Sequence, residues 1–267
     1  MTDFAARLSA VASTRGKLCV GIDPHPASLA GWGLADDLAG LEAFSRGLVE
    51  ALGDVVACFK PQSAFFEAYG PAGLDVLARV LDDVAAAGAV SILDVKRGDI
   101  GSTMAAYARA YLADGAPLAA DAITVSPFLG FGSLEPAVSL AAATGRGLFV
   151  LARTSNPEGA AVQLAGAEGH TVAQQMVSGA IAANRASGVP LIGLVLGATL
   201  DVLDVNLDGF EGWVLAPGVG AQGGSLDHLR NLFSGVTDRV LPAMSRAISD
   251  VGPAALAMRR VVQSAVF

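Results

Sequence analysis

Eight short apolar runs recur along the chain, at residues 17–23 (KLCVGID), 55–60 (VVACFK), 90–95 (VSILDV), 122–126 (AITVS), 147–152 (GLFVLA), 191–196 (LIGLVL), 212–217 (GWVLAP) and 239–243 (RVLPA). They are continuous rather than alternating, as expected of strands covered on both faces in a parallel sheet. Between them the apolar positions switch to helical spacing: Leu41, Phe44, Leu48 and Leu52; then Leu74, Leu77, Leu81 and Val84; then Met104, Tyr107, Ala108 and Tyr111. Eight strand signals alternating with helices over roughly 250 residues predict an α/β protein with the (β/α)8, or TIM, barrel architecture. A doubly wound open sheet is the alternative. No low-complexity segment or shift in composition divides the chain, so residues 1–267 are expected to form a single domain.

Polar residues gather where these runs end, which in a barrel is the face that carries the active site. Asp23 closes the first run, Lys60 the second, and Asp94 with Lys96 the third; Thr154 and Ser155 follow the fifth and Arg246 the eighth. Asp94 and Lys96 are two residues apart, so strand alternation points both to one side and Val95 to the other. Gly98 is expected to permit a tight turn and Asp99 to open the next helix, where an acid that complements the helix dipole is the plainer reading. The loop PGVGAQGGS, residues 217–225, has four glycines and enough freedom for backbone amides to wrap an anion or for a lid to close. Together with Gln222 and Arg246 it falls where such barrels hold phosphate, between the loops after strands 7 and 8.

Composition narrows the function class. A net charge of −8 argues against nucleic acid or an anionic membrane as the main partner, although local cations can still hold a small anion. The uncharged stretch around 190–200 is broken by Pro and Gly and is too short to cross a bilayer. The N-terminal MTDFAARLSAV lacks a basic segment followed by an apolar core, so a cytoplasmic protein is expected. Cys19 and Cys58 fall inside apolar runs and read as buried, reduced thiols. The three histidines, His25, His170 and His228, show no metal-ligand spacing and read as polar surface or loop residues. Of 17 basic residues only Lys17, Lys60 and Lys96 are lysines, and two of these end apolar runs. Lysine, unlike arginine, can give up a proton, so Lys60 and Lys96 are candidates for chemistry.

The blocks CVGIDPHP (19–26), FKPQSAFFEAYG (59–70), DVKRGDI (94–100), RTSNPEG (153–159), PGVGAQGG (217–224) and LPAMSRAI (241–248) stand in one order along nearly the whole chain. In this the sequence resembles the orotidine 5'-phosphate decarboxylase family, in its longer bacterial branch, whose signature Asp-x-Lys-x-x-Asp-Ile is matched by DVKRGDI. The resemblance implies that Lys60, Asp94, Lys96 and Asp99 form an alternating charged tetrad. Asp99 would reach into the neighbouring subunit's site across a homodimer interface, with Ile100 and Thr103 accompanying it at the pyrimidine and ribose. Asp23 would accept from ribose hydroxyls, Ser155 would read the pyrimidine edge, and Gln222 with Arg246 would clamp the phosphate. The chain departs from the short branch of the family at Ser245, where that branch has Gly.

The implied reaction removes carbon dioxide from C6 of orotidine 5'-monophosphate and gives uridine 5'-monophosphate, the last step of de novo UMP synthesis, with neither cofactor nor metal. The electron pair left at C6 lies in the ring plane, out of reach of the π system, so a fixed cation must meet it. Lys96 would do so and then protonate C6. Two other readings compete: a Mg²⁺-dependent keto-sugar-phosphate enzyme of the same superfamily, and a silent barrel that binds a nucleotide without turnover. The first wants oxygen ligands where this chain has Lys60, and the second is expected to lack one of the four charged residues.

Overall fold

In the computed structural model every apolar run forms a strand: β1 (Cys19–Ile22), β2 (Cys58–Pro61), β3 (Val90–Arg97), β4 (Ala122–Val125), β5 (Gly147–Arg153), β6 (Ile192–Leu196), β7 (Val214–Pro217) and β8 (Val240–Met244). The structure describes residues 3–167, 170–265 and 267; the first two residues of the N-terminal stretch read above for a leader lie outside them. Each strand pairs in parallel with the next, and β8 returns to β1 through Cys19↔Ala243 and Val20↔Met244. The sheet is therefore a closed barrel in sequential order, and the open-sheet alternative is excluded. Closure removes both edges, and helices cover the outside, which is why the strands read as unbroken apolar runs.

The three helical patterns form Leu38–Leu52, Gly70–Ala86 and Gly101–Leu112. In the first, Leu41, Phe44, Leu48 and Leu52 are fully buried against the barrel. Burying each such side chain is worth about 1.5–3 kcal/mol. The helix starts at Leu38 because the Asp37 carboxylate accepts the Gly40 N–H at 2.8 Å, satisfying a donor that the first turn leaves free. Cys19 and Cys58 face each other in the β1–β2 register as free, buried thiols, and burial pushes the Cys58 thiol up.

Two local expectations are corrected. Asp99 does not open the helix after β3, which begins at Gly101 with no acid in its first turn; its carboxylate instead accepts the Ile100 N–H at 2.7 Å. Gly98 is not among the residues with positive φ. It is needed for space, since a Cβ there would lie 2.1 Å from the Ser126 carbonyl oxygen. The loop 217–225 carries hydrogen bonds of its own. Its amides close on themselves, Gly220 N–H to Gly224 O at 2.8 Å, Gly223 N–H to Gly220 O at 2.8 Å and Gly224 N–H to Gly218 O at 3.0 Å. The glycines serve this fold, with φ of 112°, 81° and 94° at 218, 220 and 223.

Candidate active site

The carboxyl ends of the strands enclose a cavity of about 350 Å³. Seven of the ten sequence-predicted site residues line it: Asp23, Lys60, Asp94, Lys96, Ser155, Gln222 and Arg246. Asp23 follows β1, Lys60 lies inside β2, Asp94 and Lys96 lie inside β3, and Arg246 follows β8. Asp99, Ile100 and Thr103 do not line it; they sit on the outer segment after β3, with Ile100 62% exposed.

Four charges form a row in the cavity. Lys60 Nζ lies 3.9 Å from Asp23 Oδ1 and 3.2 Å from Asp94 Oδ2, and Lys96 Nζ lies 2.6 Å from Asp94 Oδ1. Within one chain the alternation thus runs Asp23, Lys60, Asp94, Lys96: Asp23 extends it at the Lys60 end, and Asp99 is not part of this row. Burial pushes the Asp94 carboxyl up, but the two ammonium groups and the Thr124 hydroxyl prevail and hold it at about 2. Burial also pushes the Lys60 ammonium down, and the facing carboxylates Asp94 and Asp23 overcome it, so its pKa lies above the ordinary lysine value. Both groups are therefore charged at neutral pH. Asp23 Oδ1 is buried without a hydrogen-bond donor among the described residues, 3.9 Å from Lys60 Nζ.

Sequence reasoning missed several lining residues. Thr124, on β4, donates from Oγ1 to Asp94 Oδ1 at 2.7 Å and accepts the Lys96 N–H at 2.9 Å. Its signal was present: a polar residue in an otherwise apolar run, at the carboxyl end of the neighbouring strand. Gln62 places Oε1 3.5 Å from Lys60 Nζ, and Asn156 accepts from the Thr154 hydroxyl at 2.6 Å. His25, read from the sequence as a surface or loop residue, lines the cavity and packs edge-on against Phe65 with ring centroids 4.3 Å apart. His228 sits elsewhere, with Nε2 2.7 Å from the Leu200 carbonyl.

The loop that carries Ser155 is held from below. Arg153, 9% exposed, places Nε 3.0 Å from Asp204 Oδ2 and donates through Nη1 to the Thr154 carbonyl at 2.7 Å. The Gln163 side chain closes the same turn by accepting the Thr154 N–H at 2.9 Å. Across the mouth, Arg246 is exposed, and no described residue bonds or ion-pairs with its guanidinium. An arginine fork without a protein partner, beside a glycine-rich loop, is a ready site for an anion. A divalent cation has little to bind here, because both Asp94 oxygens already accept from ammonium or hydroxyl donors. Among the described residues no group of three or more His, Cys, Asp or Glu side chains converges elsewhere.

Comparison with known proteins identifies the family. The family model described as "Orotidine 5'-phosphate decarboxylase / HUMPS family" matches residues 16–261. The chain is 54% identical over 262 residues to the orotidine 5'-phosphate decarboxylase of Salinispora tropica, covering 97% of this chain and 94% of that protein. It is 52% identical over 262 residues to that of Streptomyces coelicolor, with the same coverage. A solved structure from Streptomyces avermitilis, assigned as an orotidine 5'-phosphate decarboxylase, superposes with a TM-score of 0.94 at 51% identity and covers 99% of this chain and 93% of that one. By sequence and by structure, then, the chain belongs to the orotidine 5'-phosphate decarboxylase / HUMPS family.

Proposed function

We propose that this enzyme decarboxylates orotidine 5'-monophosphate to uridine 5'-monophosphate, and that Lys96 is the proton donor. The observation that carries the reading is the row Lys60, Asp94, Lys96 with contacts of 3.2 and 2.6 Å inside one cavity. Asp94, held ionised, faces the substrate carboxylate. Two unit charges about 4 Å apart repel by roughly 4 kcal/mol at an effective dielectric near 20, and the repulsion fades as neutral carbon dioxide leaves. The C6–carboxylate bond breaks with its electron pair staying on C6. The Lys96 ammonium, already in place, stabilises that pair and transfers its proton to C6, becoming a neutral amine. Lys60 keeps Asp94 charged and fixed.

The remaining residues bind. Asp23 suits a ribose hydroxyl, Ser155 the pyrimidine edge, and Gln222 with Arg246 the phosphate; all four line the cavity. Phosphate binding far from C6 supplies energy that orients the ring. We further propose a homodimer in which Asp99, Ile100 and Thr103 complete the partner's site. The segment after β3, with Ile100 62% exposed, is tied to the loop after β4 by the Ser126 N–H donating to the Arg97 carbonyl, and that loop exposes Phe128 (79%) and Leu129 (54%), apolar side chains that suit a second copy of the chain. A cytoplasmic setting fits the two buried free thiols.

The test follows the loss of orotidine monophosphate absorbance with purified protein, with and without a chelator. Turnover unaffected by the chelator is expected. A requirement for Mg²⁺ would favour a sugar-phosphate activity, and tight nucleotide binding without turnover would indicate a silent barrel.

A further inference from the structure

Lys96 is the one described non-glycine residue with positive φ, at 45°. The cause lies in the pairing of β3 with β4. Leu93 pairs with Ile123 and Arg97 with Val125, so residues 94, 95 and 96 cross a stretch where β4 supplies only Thr124. Such a bulge leaves backbone donors without ladder acceptors. The Lys96 N–H is one of them, and Thr124 Oγ1 takes it at 2.9 Å. The same oxygen lies 2.7 Å from Asp94 Oδ1. A backbone N–H only donates and a carboxylate only accepts, so the hydroxyl has one arrangement that serves both: lone pair to Lys96, hydrogen to Asp94. Thr124 is 1% exposed, and its β-branched side chain has little rotamer freedom. With Lys96 Nζ at 2.6 Å, Asp94 Oδ1 then accepts two hydrogen bonds.

We infer that Thr124 is a positioning residue for the reaction: its hydroxyl spans the bulge and ties the Lys96 backbone to the Asp94 carboxylate, fixing the ammonium before substrate arrives. This rests on the decarboxylase reading of the site. Beyond the bulge the strand is anchored separately, by Arg97 Nη2 donating to Glu67 Oε1 at 2.7 Å and by the Ser126 N–H donating to the Arg97 carbonyl at 2.8 Å. Loss of the Thr124 hydroxyl therefore loosens the reacting segment without releasing its ends.

Thr124→Val keeps shape and branching and removes the hydroxyl; Thr124→Ser keeps the hydroxyl and drops the methyl. The expected result is a roughly 10- to 100-fold fall in kcat for Thr124→Val, the scale of a misplaced catalytic group, with KM little changed. Thr124→Ser should keep kcat near that of the natural protein even though it loses some thermal stability. Natural kcat in Thr124→Val, or an equal loss in Thr124→Ser, overturns the inference. If Thr124→Val does not fold, Thr124→Ala against Thr124→Ser decides by the same criterion. A crystal structure of the unliganded hydroxyl-free variant reads the geometry without turnover: the 2.6 Å contact of Lys96 Nζ with Asp94 should be lost. An unchanged contact overturns the positioning role. A natural protein that fails to decarboxylate would sink the decarboxylase reading, and the crystallographic comparison would still decide whether Thr124 places Lys96.

Discussion

Asp94→Asn isolates the charge at the centre of the row. The carboxylate accepts from Lys96 Nζ at 2.6 Å and Thr124 Oγ1 at 2.7 Å on one oxygen, and from Lys60 Nζ at 3.2 Å on the other. An amide of the same shape accepts on one side only, so its NH₂ must face an ammonium wherever it points. In the natural protein, burial pushes the carboxyl up while Lys60 and Lys96 pull it further down, from an ordinary 3.8 to about 2. That difference corresponds to about 2 kcal/mol in favour of the ionised form. The folded-state pKa is the lower one, so this stability is complete above the ordinary carboxylate value and is lost as pH falls through the window from about 4 to about 2. Asn resembles a permanently protonated carboxyl. Asp94→Asn should therefore be about 2 kcal/mol less stable at pH 7, nearer 3–5 kcal/mol if the ammonium groups cannot relax, with a gap that narrows as pH drops through the window. Urea unfolding followed by the fluorescence of Trp32 and Trp213 at a series of pH values measures it. Equal stabilities at pH 7, or a gap that is the same on both sides of the window, would refute the view that two ammonium groups hold Asp94 ionised. Decarboxylation by the same variant should fall by at least about 100-fold, the scale of one lost preorganised electrostatic contact.

Other outcomes follow from the same geometry. Arg246→Ala should raise KM for the nucleotide roughly 10- to 100-fold, the worth of a hydrogen bond to a charged group, and leave the melting temperature unchanged, because the guanidinium has no partner among the described residues; steady-state kinetics with thermal melting checks both. Gly98→Ala should cost about 1–3 kcal/mol in urea unfolding and lower kcat, because the new methyl would lie 2.1 Å from the Ser126 carbonyl and must push the loop beside Asp99 aside. Mixing inactive Asp99→Ala with inactive Lys96→Ala protein should restore part of the activity through hybrid dimers; no recovery despite demonstrated subunit exchange would refute the shared site.

The barrel was legible because strands buried on both faces leave no polar alternation, and because helical spacing resumed after each of the first three runs. Asp23, Lys60, Asp94, Lys96 and Arg246 were legible as polar residues that end or follow apolar runs. What stayed hidden depends on tertiary approach. His25 carries no local mark that separates a cavity wall from a surface loop. Its role as a wall depends on where the segment after β1 lies against Phe65. Gly98 reads as a turn residue in any sequence, and only the Ser126 carbonyl from the next loop shows that space, not φ, is what it supplies.

The pair Asp94 and Lys96 is the sharper case. Two-residue spacing in a regular strand places both side chains on one face, and both do reach the cavity, yet the strand is not regular between them. Lys96 has φ 45°, and the β3–β4 register slips between Leu93 and Arg97. A bulge re-aims a side chain and leaves backbone donors to be satisfied elsewhere. Here a threonine on the neighbouring strand accepts the Lys96 N–H and donates to the Asp94 carboxylate. Alternation thus led to the right cavity without revealing the geometry that sets the ammonium there. Long-range pairing fixes that geometry, and pairing register is what periodicity within one segment cannot encode.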